Sequence, residues 1–257
     1  MNPTEKWIAF QTIVVKEIRR FMRIWLQTLL PPTITITLYF VIFGTLIGPR
    51  IGTMANFDYI QFVAPGLIMM AVITNSYSNV VSSFYSTKFQ RSIEELLVSP
   101  VPNYLILWGY VIGGVARGLC VGVLVTVLAL FFTKLQLHNV LVTVSMVVLA
   151  SVLFSLAGFI NAIFARSFDD ISIIPTFVLT PLTYLGGVFY STEMLPAFWQ
   201  KVSLANPILH MINAFRYGML GYSDVPIGWA FGMVILFIVV LGTFSLSLLN
   251  RGVRIRS

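Results

Sequence analysis

Apolar runs longer than eighteen residues dominate this sequence and limit what the chain can fold into. A helix of that length crosses the roughly 30 Å hydrocarbon core of a bilayer. Hydrophobic residues make up 58% of the 257 residues, and the mean hydropathy is +0.90. A water-soluble domain needs more polar surface than this. Because the period-two alternation of a membrane β-barrel is missing, the sequence predicts an all-α integral membrane protein.

The apolar pattern predicts six membrane-spanning helices in a single domain, residues 1–257. The predicted spans are 26–48, 58–86, 104–132, 138–165, 171–190 and 227–249. Residues 191–226 are semi-polar, and their apolar patches are too short to cross a bilayer. This segment is predicted to re-enter the membrane or to lie on it, on the external side.

The lysine and arginine distribution predicts the orientation of the chain. If both chain ends lie on one side, that side collects eleven of the 16 basic residues: Lys6, Lys16, Arg19, Arg20, Arg23, Lys88, Arg91, Arg166, Arg251, Arg254 and Arg256. The other side holds four: Arg50, Lys134, Lys201 and Arg216. The positive-inside rule then places both termini in the cytoplasm. The net charge of +7 faces anionic membrane lipid rather than nucleic acid.

Residues 4–23 show apolar and basic faces at helical spacing. The apolar face includes Trp7 and Phe10, and Arg19 or Arg20 lies on the opposite face. Aromatic side chains opposite a basic face are typical of a helix that lies in the membrane interface. We therefore predict an amphipathic interface helix over this range.

A short charged helix is predicted over residues 88–99, between long apolar runs. Its apolar stripe consists of Phe89, Ile93, Leu96 and Leu97. The charged residues, mostly away from that stripe, are Arg91, Glu94 and Glu95. Pro100 and Pro102 end the helix. Three interpretations stay open: the stripe packs on its own bundle, lies on lipid, or enters a groove on a partner protein.

Several function classes lack the residues that they need. No G-x-x-x-x-G-K-[ST] phosphate loop occurs, and the dipeptide Gly-Lys is missing. The two histidines have no carboxylate or cysteine nearby that would favour a metal site. No catalytic constellation converges within the membrane, so an enzyme is not expected. The acidic residues fall in loops or near span ends, which is atypical of an ion-driven carrier.

The spans carry neutral polar residues and one charge. Asn75, Asn79 and Ser82 share one face of the second span, where they either line a solute path or bond between helices. Arg117 lies about a dozen residues into the third span. A charge at that depth marks a functional site, or else it snorkels or pairs, with Asp169 or Asp170 as candidate partners.

The order of these parts resembles the membrane subunit of the type-2 ABC exporter family, over almost the whole chain. The most specific stretch is GGVFYSTEMLPAFWQKVSLANPILHMINAFRYGMLG, residues 186–221. It is similar to the family pattern of a Gly-rich turn, Leu-Pro, Asn-Pro and then an arginine on a helix. The matching positions are Pro196, Asn206, Pro207 and Arg216.

The resemblance implies a permease driven by another polypeptide. Residues 88–99 would be the coupling helix, docking in a groove of a separate ATPase subunit that holds ATP and Mg²⁺, so no cofactor is expected on this chain. Two copies of the chain and two ATPases would assemble in the bacterial inner membrane. The path would lie at the two-fold axis, with Tyr184 among its candidate lining residues. The family moves polysaccharides, lipid-linked glycans and drugs. The alternative is an autonomous carrier or channel driven by an ion gradient.

Overall fold

The computed structural model describes residues 1–252, apart from the side chain of Leu97. The first half of the described chain contains α1 (Pro3–Arg23), α2 (Trp25–Ile51), β1 (Thr53–Met54), β2 (Phe57–Asp58), α3 (Tyr59–Phe89), α4 (Ser92–Val98) and α5 (Asn103–Phe132). The second half contains α6 (Val140–Phe164), α7 (170–184), a 3-10 turn (Thr192–Met194), α8 (Ala197–Leu204), α9 (Pro207–Leu220) and α10 (Ile227–Arg251). The predicted cytoplasmic residues Arg254 and Arg256 lie outside the described part.

Within residues 1–252, five helices are long and apolar enough to cross a bilayer: α2, α3, α5, α6 and α10. The predicted class, an all-α membrane protein, is therefore confirmed. One departure is the two-stranded hairpin β1–β2, whose connecting residues Ala55 and Asn56 both have positive φ.

The predicted fifth span, 171–190, corresponds to the shorter helix α7. It consists of three pieces of five residues each, and the middle piece, Pro175–Leu179, is π-helical. At 1.5 Å per residue α7 extends about 22 Å, less than the hydrocarbon core. The six-span count therefore stays a prediction.

Helix α3 lies at the centre of the bundle and packs against α5, α6 and α9. In the apolar 18-residue stretch of each helix, 78% of the residues of α3 are buried, against 11% of those of α2. The side chains that α3 buries include Phe62, Tyr77 and Phe84. Because apolar side chains gain little by leaving lipid, close packing and interhelical hydrogen bonds stabilise such a bundle.

The two ends of the bundle are held together by different elements. The α4 end holds α4, the C-terminal end of α3 and the loop after α6, since Lys88 donates to the carbonyls of Ile163 and Ala165. The hairpin end holds β1–β2, which leads directly into α3, and α9, since Arg216 of α9 donates to the Phe62 carbonyl near the start of α3. The α5–α6 loop lies there too, since the amide of His138 donates to the Met219 carbonyl.

Candidate functional site

Helix α1 packs on α5 through a line of three side chains spaced four residues apart: Ile13, Glu17 and Phe21. A glycine on α5 permits this approach, because a Cβ on Gly113 would come within 2.5 Å of the Glu17 Cβ. The carboxylate of Glu17 is therefore enclosed between two helices, with none of its surface exposed.

The two predicted faces of α1 differ in how they meet the bundle. Trp7 is 58% exposed and Phe10 is half-buried, so neither belongs to the line that packs on α5, and their contact with the membrane interface stays a prediction. Arg19 is exposed, as expected for the basic face. Arg20 is turned inward instead, and its Nη2 donates to the Asn79 carbonyl at 2.9 Å and to Asn79 Oδ1 at 2.8 Å. The helix is thus amphipathic and also bonded into the bundle.

Glu17, Arg20 and Asn79 form a buried polar cluster between α1 and α3. Arg20 Nε lies 3.4 Å from Glu17 Oε2. Within the described residues, both Glu17 oxygens, Arg20 Nε and Asn79 Nδ2 are buried without a hydrogen bond. Unsatisfied polar atoms are costly in a low-dielectric interior, and the ion pair between Glu17 and Arg20 offsets part of that cost.

Arg117 on α5 contacts the same face of α3 at Asn75, one helical turn from Asn79. Its Nη2 donates to Asn75 Oδ1 at 3.1 Å, and Asn75 Nδ2 donates to the Ala71 carbonyl. The Nε of Arg117 is buried and has no hydrogen-bond partner within residues 1–252. The predicted partners Asp169 and Asp170 are elsewhere: Asp170 accepts from the Arg166 and Ser167 amides, which lower its pKa below the ordinary value.

Arg117 borders a cleft of about 290 Å³ between α2, α3 and α5. Its lining from α2 is Gln27, Thr28, Pro31, Pro32, Thr35 and Ile36. Its lining from α3 is Met70, Ala71, Thr74 and Asn75. One guanidinium and several neutral polar groups thus face a mainly apolar cleft, halfway along α5.

The predicted path-lining residues separate into two groups. Asn75 and Asn79 are buried and accept hydrogen bonds from the two arginines, and Asn75 also lines the cleft; their role in a solute path stays a prediction. Ser82 is half-buried and donates to the Ser78 carbonyl. The least buried polar face of α3 lies one residue away from the asparagines and consists of Thr74, Ser78, Ser82 and Ser86. Tyr184 on α7 is 41% exposed, and its hydroxyl lies 3.3 Å from that of Tyr39 on α2.

The predicted helix over 88–99 is interrupted. Helix α3 continues through Phe89, Arg91 takes a left-handed conformation with φ 59°, and α4 begins at Ser92. The break places Phe89 on a different helix from Ile93, so the four apolar residues do not form one stripe.

The interruption changes which side chains are available to a partner. Ile93 is 1% exposed and packs in the core of its own bundle, and Leu96 packs against that core. Ile93 is therefore not a groove-filling residue, contrary to its predicted role. The side chain of Leu97 lies outside the described part. The apolar residues that remain exposed are Phe89 at 64% and Val98 at 86%.

Charged side chains accompany this exposed apolar pair. Arg91 and Glu95 are exposed and Glu94 is half-buried. We define the α4 surface as Phe89, Arg91, Glu95 and Val98. The short helix is held by Ser92 Oγ, which donates to the Thr87 carbonyl. At the end of α3, the Phe89 ring contacts Phe168 edge-on at 5.1 Å.

The motif over residues 186–221 organises the hairpin end. Asn206 caps α9 by accepting from the Ile208 amide, and its Nδ2 donates to the Leu182 carbonyl. Pro207 occupies the first turn of α9, where an amide donor is not needed. Pro196 takes the N-cap position, immediately before α8. These residues set the start of each helix.

Arg216 ties α9 to the rest of the hairpin end and is 0% exposed. Its Nε donates to the Phe62 carbonyl at 3.2 Å, and its Nη2 donates to the Gly187 carbonyl at 2.7 Å. The guanidinium carbon lies 3.9 Å from the centre of the Phe62 ring. Burial lowers the pKa of Arg216 to about 10, while Asp224 and Tyr222 raise it, so the group stays charged at neutral pH.

Two residues of these clusters were missed by sequence reasoning. Glu17 was counted among the acids outside the membrane, although it lies four residues from both Ile13 and Phe21 on the packed line. Asp224 accepts from Ser191 Oγ, from the Thr192 amide and from the Tyr222 hydroxyl. Spacing offered a signal for Glu17 but none for Asp224. Within residues 1–252, no three His, Cys, Asp or Glu side chains are placed to hold a metal ion.

Comparisons with known proteins give a consistent assignment. A family model described as ABC-2 type transporter matches residues 8–220. The inner membrane transport permease YadH of Escherichia coli K12 is 61% identical over 251 residues, which cover 98% of each chain. Nodulation protein J of Rhizobium leguminosarum bv. trifolii is 24% identical over 209 residues, 81% of this chain and 80% of that protein. Nodulation protein J of Rhizobium meliloti (strain 1021) is 25% identical over 209 residues.

Proposed function

Because this chain belongs to the ABC-2 type transporter family, we propose that it is the permease subunit of an ATP-driven exporter, with two copies of the chain and two separate ATPase subunits. The resemblance noted in the sequence is thereby confirmed at the level of the family, and the chain is a transport permease. The finer proposal covers the assembly, the six-span count with α7 as a short fifth span, and cytoplasmic termini.

The α4 surface is the observation that carries the proposal. Phe89 and Val98 expose apolar side chains at an end of the bundle that is otherwise rich in basic residues. Exposed apolar anchors with Arg91 and Glu95 beside them have the composition of a protein-docking site with a charged rim. We assign this surface to the groove of an ATPase subunit.

The attachment of α4 supports a mechanical role. Ile93 is anchored in the core and Ser92 is bonded to Thr87, so a displacement of α4 moves the end of α3 with it. Helix α3 is the most buried of the five long helices and contacts α5, α6 and α9. Force applied at α4 would therefore pass through α3 to the helices packed on it, α5, α6 and α9.

The proposed path runs along the polar face of α3 at the contact between two copies. Thr74, Ser78, Ser82 and Ser86 present hydroxyl groups on this face. Helix α2 leaves most of its apolar surface exposed, which gives a second copy or lipid room to pack. The substrates that the family resemblance implies are glycans and lipid-linked or drug-like solutes. Such solutes fit a path of hydroxyl groups and aromatic rings.

The docking proposal predicts that an acidic residue in the α4 surface abolishes assembly. In the variant Phe89→Asp/Val98→Asp, a buried carboxylate would face an apolar groove. We expect the ATPase activity that copurifies with the tagged permease from native membranes, measured per mole of permease, to fall more than about tenfold. Leu137→Asp is the matched control, since Leu137 is an exposed loop residue (63%) at the hairpin end.

Two results would contradict the proposal. One is full copurified hydrolysis in the Phe89→Asp/Val98→Asp variant while the protein elutes as a folded complex in detergent. The other is ion-gradient-driven transport by vesicles that contain this chain alone and no nucleotide, which would support the carrier interpretation instead.

A further inference from the structure

We propose that the cleft beside Arg117 binds the anionic head group of an amphiphile, a carboxylate, sulfate or phosphate on an apolar body. This deepens the proposed function by naming a substrate class, and it rests on that function only where the amphiphile is cargo. Neither the family match nor the names of the relatives assign a ligand to this cleft.

The charged side chains near the cleft carry a net positive charge. Arg20 and Arg117 bond to asparagines one turn apart on α3, and Glu17 is ion-paired with Arg20. Within residues 1–252, Arg117 takes part in no ion pair and hydrogen-bonds to the neutral Asn75. Two guanidinium groups and one carboxylate leave a formal charge of +1. An uncompensated charge midway along a membrane helix is unfavourable and attracts an anion.

The Arg117 guanidinium has unused hydrogen-bonding capacity. A guanidinium has five N–H donors, and in the described part Arg117 places one of them on Asn75 while its buried Nε has no partner. The planar fork of arginine binds the two oxygens of a carboxylate or phosphate side by side. Thr74 and Gln27 line the same cleft and add further polar groups.

The position and the lining of the cleft suit an amphiphile. The cleft measures about 290 Å³ and lies between α3, α5 and the largely exposed helix α2. Pro31, Pro32, Ile36 and Met70 make much of its wall apolar. A freely soluble anion partitions poorly to this depth, whereas an amphiphile brings its charge there with its own apolar chain. The mixed lining therefore favours an amphiphile over inorganic phosphate.

A fluorescent carboxylate tests the proposal on the full-length permease alone. The probe is dansylaminoundecanoic acid, and its neutral methyl ester is the matched comparison. In phosphatidylcholine nanodiscs, energy transfer from tryptophan to dansyl reports occupancy, because Trp25 begins α2 two residues before Gln27. We expect the acid to bind wild type and Arg117→Lys, and to bind Arg117→Gln at least about tenfold more weakly. Lys134→Gln, which removes an exposed cation, should bind as wild type does.

Two further variants and measurements guard against misfolding. Thr74→Phe fills the cleft from an exposed position and should abolish binding while Arg117 stays in place. The thermal midpoint of ligand-free Arg117→Gln should equal or exceed that of wild type, because an unpaired charge is removed. Equal acid binding in wild type and Arg117→Gln, or equal binding of acid and methyl ester, would overturn the inference.

A lipid arm separates the two sources of such an anion. Nanodiscs of phosphatidylcholine doped with phosphatidylglycerol offer an anionic lipid as competitor. Displacement of the probe assigns the cleft to a lipid head group, and retention assigns it to transported solute; both results support an anionic amphiphile. Assembly with the ATPase is measured at the α4 surface, so this inference and the proposed function fail independently.

Discussion

Arg216 and Arg117 are both guanidinium groups inside an apolar bundle, yet their surroundings differ. Arg216, at the hairpin end, is fully enclosed and donates to the Phe62 and Gly187 carbonyls and, at 3.5 Å, to Asn213 Oδ1. Arg117 donates to Asn75, keeps an unpaired buried Nε and borders a cleft. Within the described residues, Arg216 makes three hydrogen bonds to protein acceptors and Arg117 makes one.

The difference separates a structural arginine from a ligand-binding one. A guanidinium enclosed by carbonyl oxygens and an aromatic face is closed to a ligand and acts as a tie between chain segments. A guanidinium with spare donors beside a cleft stabilises the fold less, but it retains its capacity to bind. Residue type and apolar sequence context are the same in both cases, so only the partners distinguish them.

The sharpest test of this comparison is Arg216→Met. It removes the donors to the Phe62 and Gly187 carbonyls and to Asn213 Oδ1, and it removes the cation held against the Phe62 ring. We expect a loss of about 3–5 kcal/mol in stability, measured by thermal unfolding in detergent. Arg117→Met in the same assay should change stability by less than about 1 kcal/mol. Equal losses would mean that both arginines are structural, and the comparison would fail.

Gly113→Leu tests the side of the comparison that contains Glu17 and Arg20. The added side chain would collide with Glu17 and separate α1 from α5, breaking the contact between Arg20 and Asn79. The expected loss is about 2 kcal/mol, with faster trypsin cleavage after Arg20 in the purified protein. Gly232→Leu is the matched control, because a Cβ on Gly232 would meet no atom within 4 Å. Unchanged cleavage in Gly113→Leu would show that α1 does not depend on this close approach.

The long helices were predictable, and the reason is local. Predicted spans 58–86 and 104–132 correspond to Tyr59–Phe89 and Asn103–Phe132. An uninterrupted apolar run specifies a helix by its own composition, whatever its neighbours are. The family followed from the order of the parts and from the Asn206–Pro207 motif, which sets the start of α9.

The faces of the helices were not predictable to the residue, because they depend on what packs against them. On α1 the packed line is Ile13, Glu17 and Phe21, chosen by the approach of Gly113 on another helix. Before α4, Arg91 adopts a left-handed conformation that a sequence without glycine there does not announce. That single residue turned an apparent four-residue stripe into a buried Ile93 and an exposed Phe89.

The smallest predicted effects extend the comparison to uncharged residues on α3. Asn79→Ala removes the side-chain acceptor of Arg20 and keeps the backbone carbonyl; it should cost about 1 kcal/mol, since polar contacts between membrane helices contribute about that much. Ser82→Ala removes a hydroxyl that bonds within its own helix, so the free energy of unfolding should change by less than about 0.5 kcal/mol.

A transport assay should reverse this order if the hydroxyl face of α3 lines the path, because Ser82 then contacts solute and Asn79 does not. A Ser82→Ala variant with unaltered transport would remove that face from the path, while the distinction between paired and spare polar groups would still hold for the two arginines.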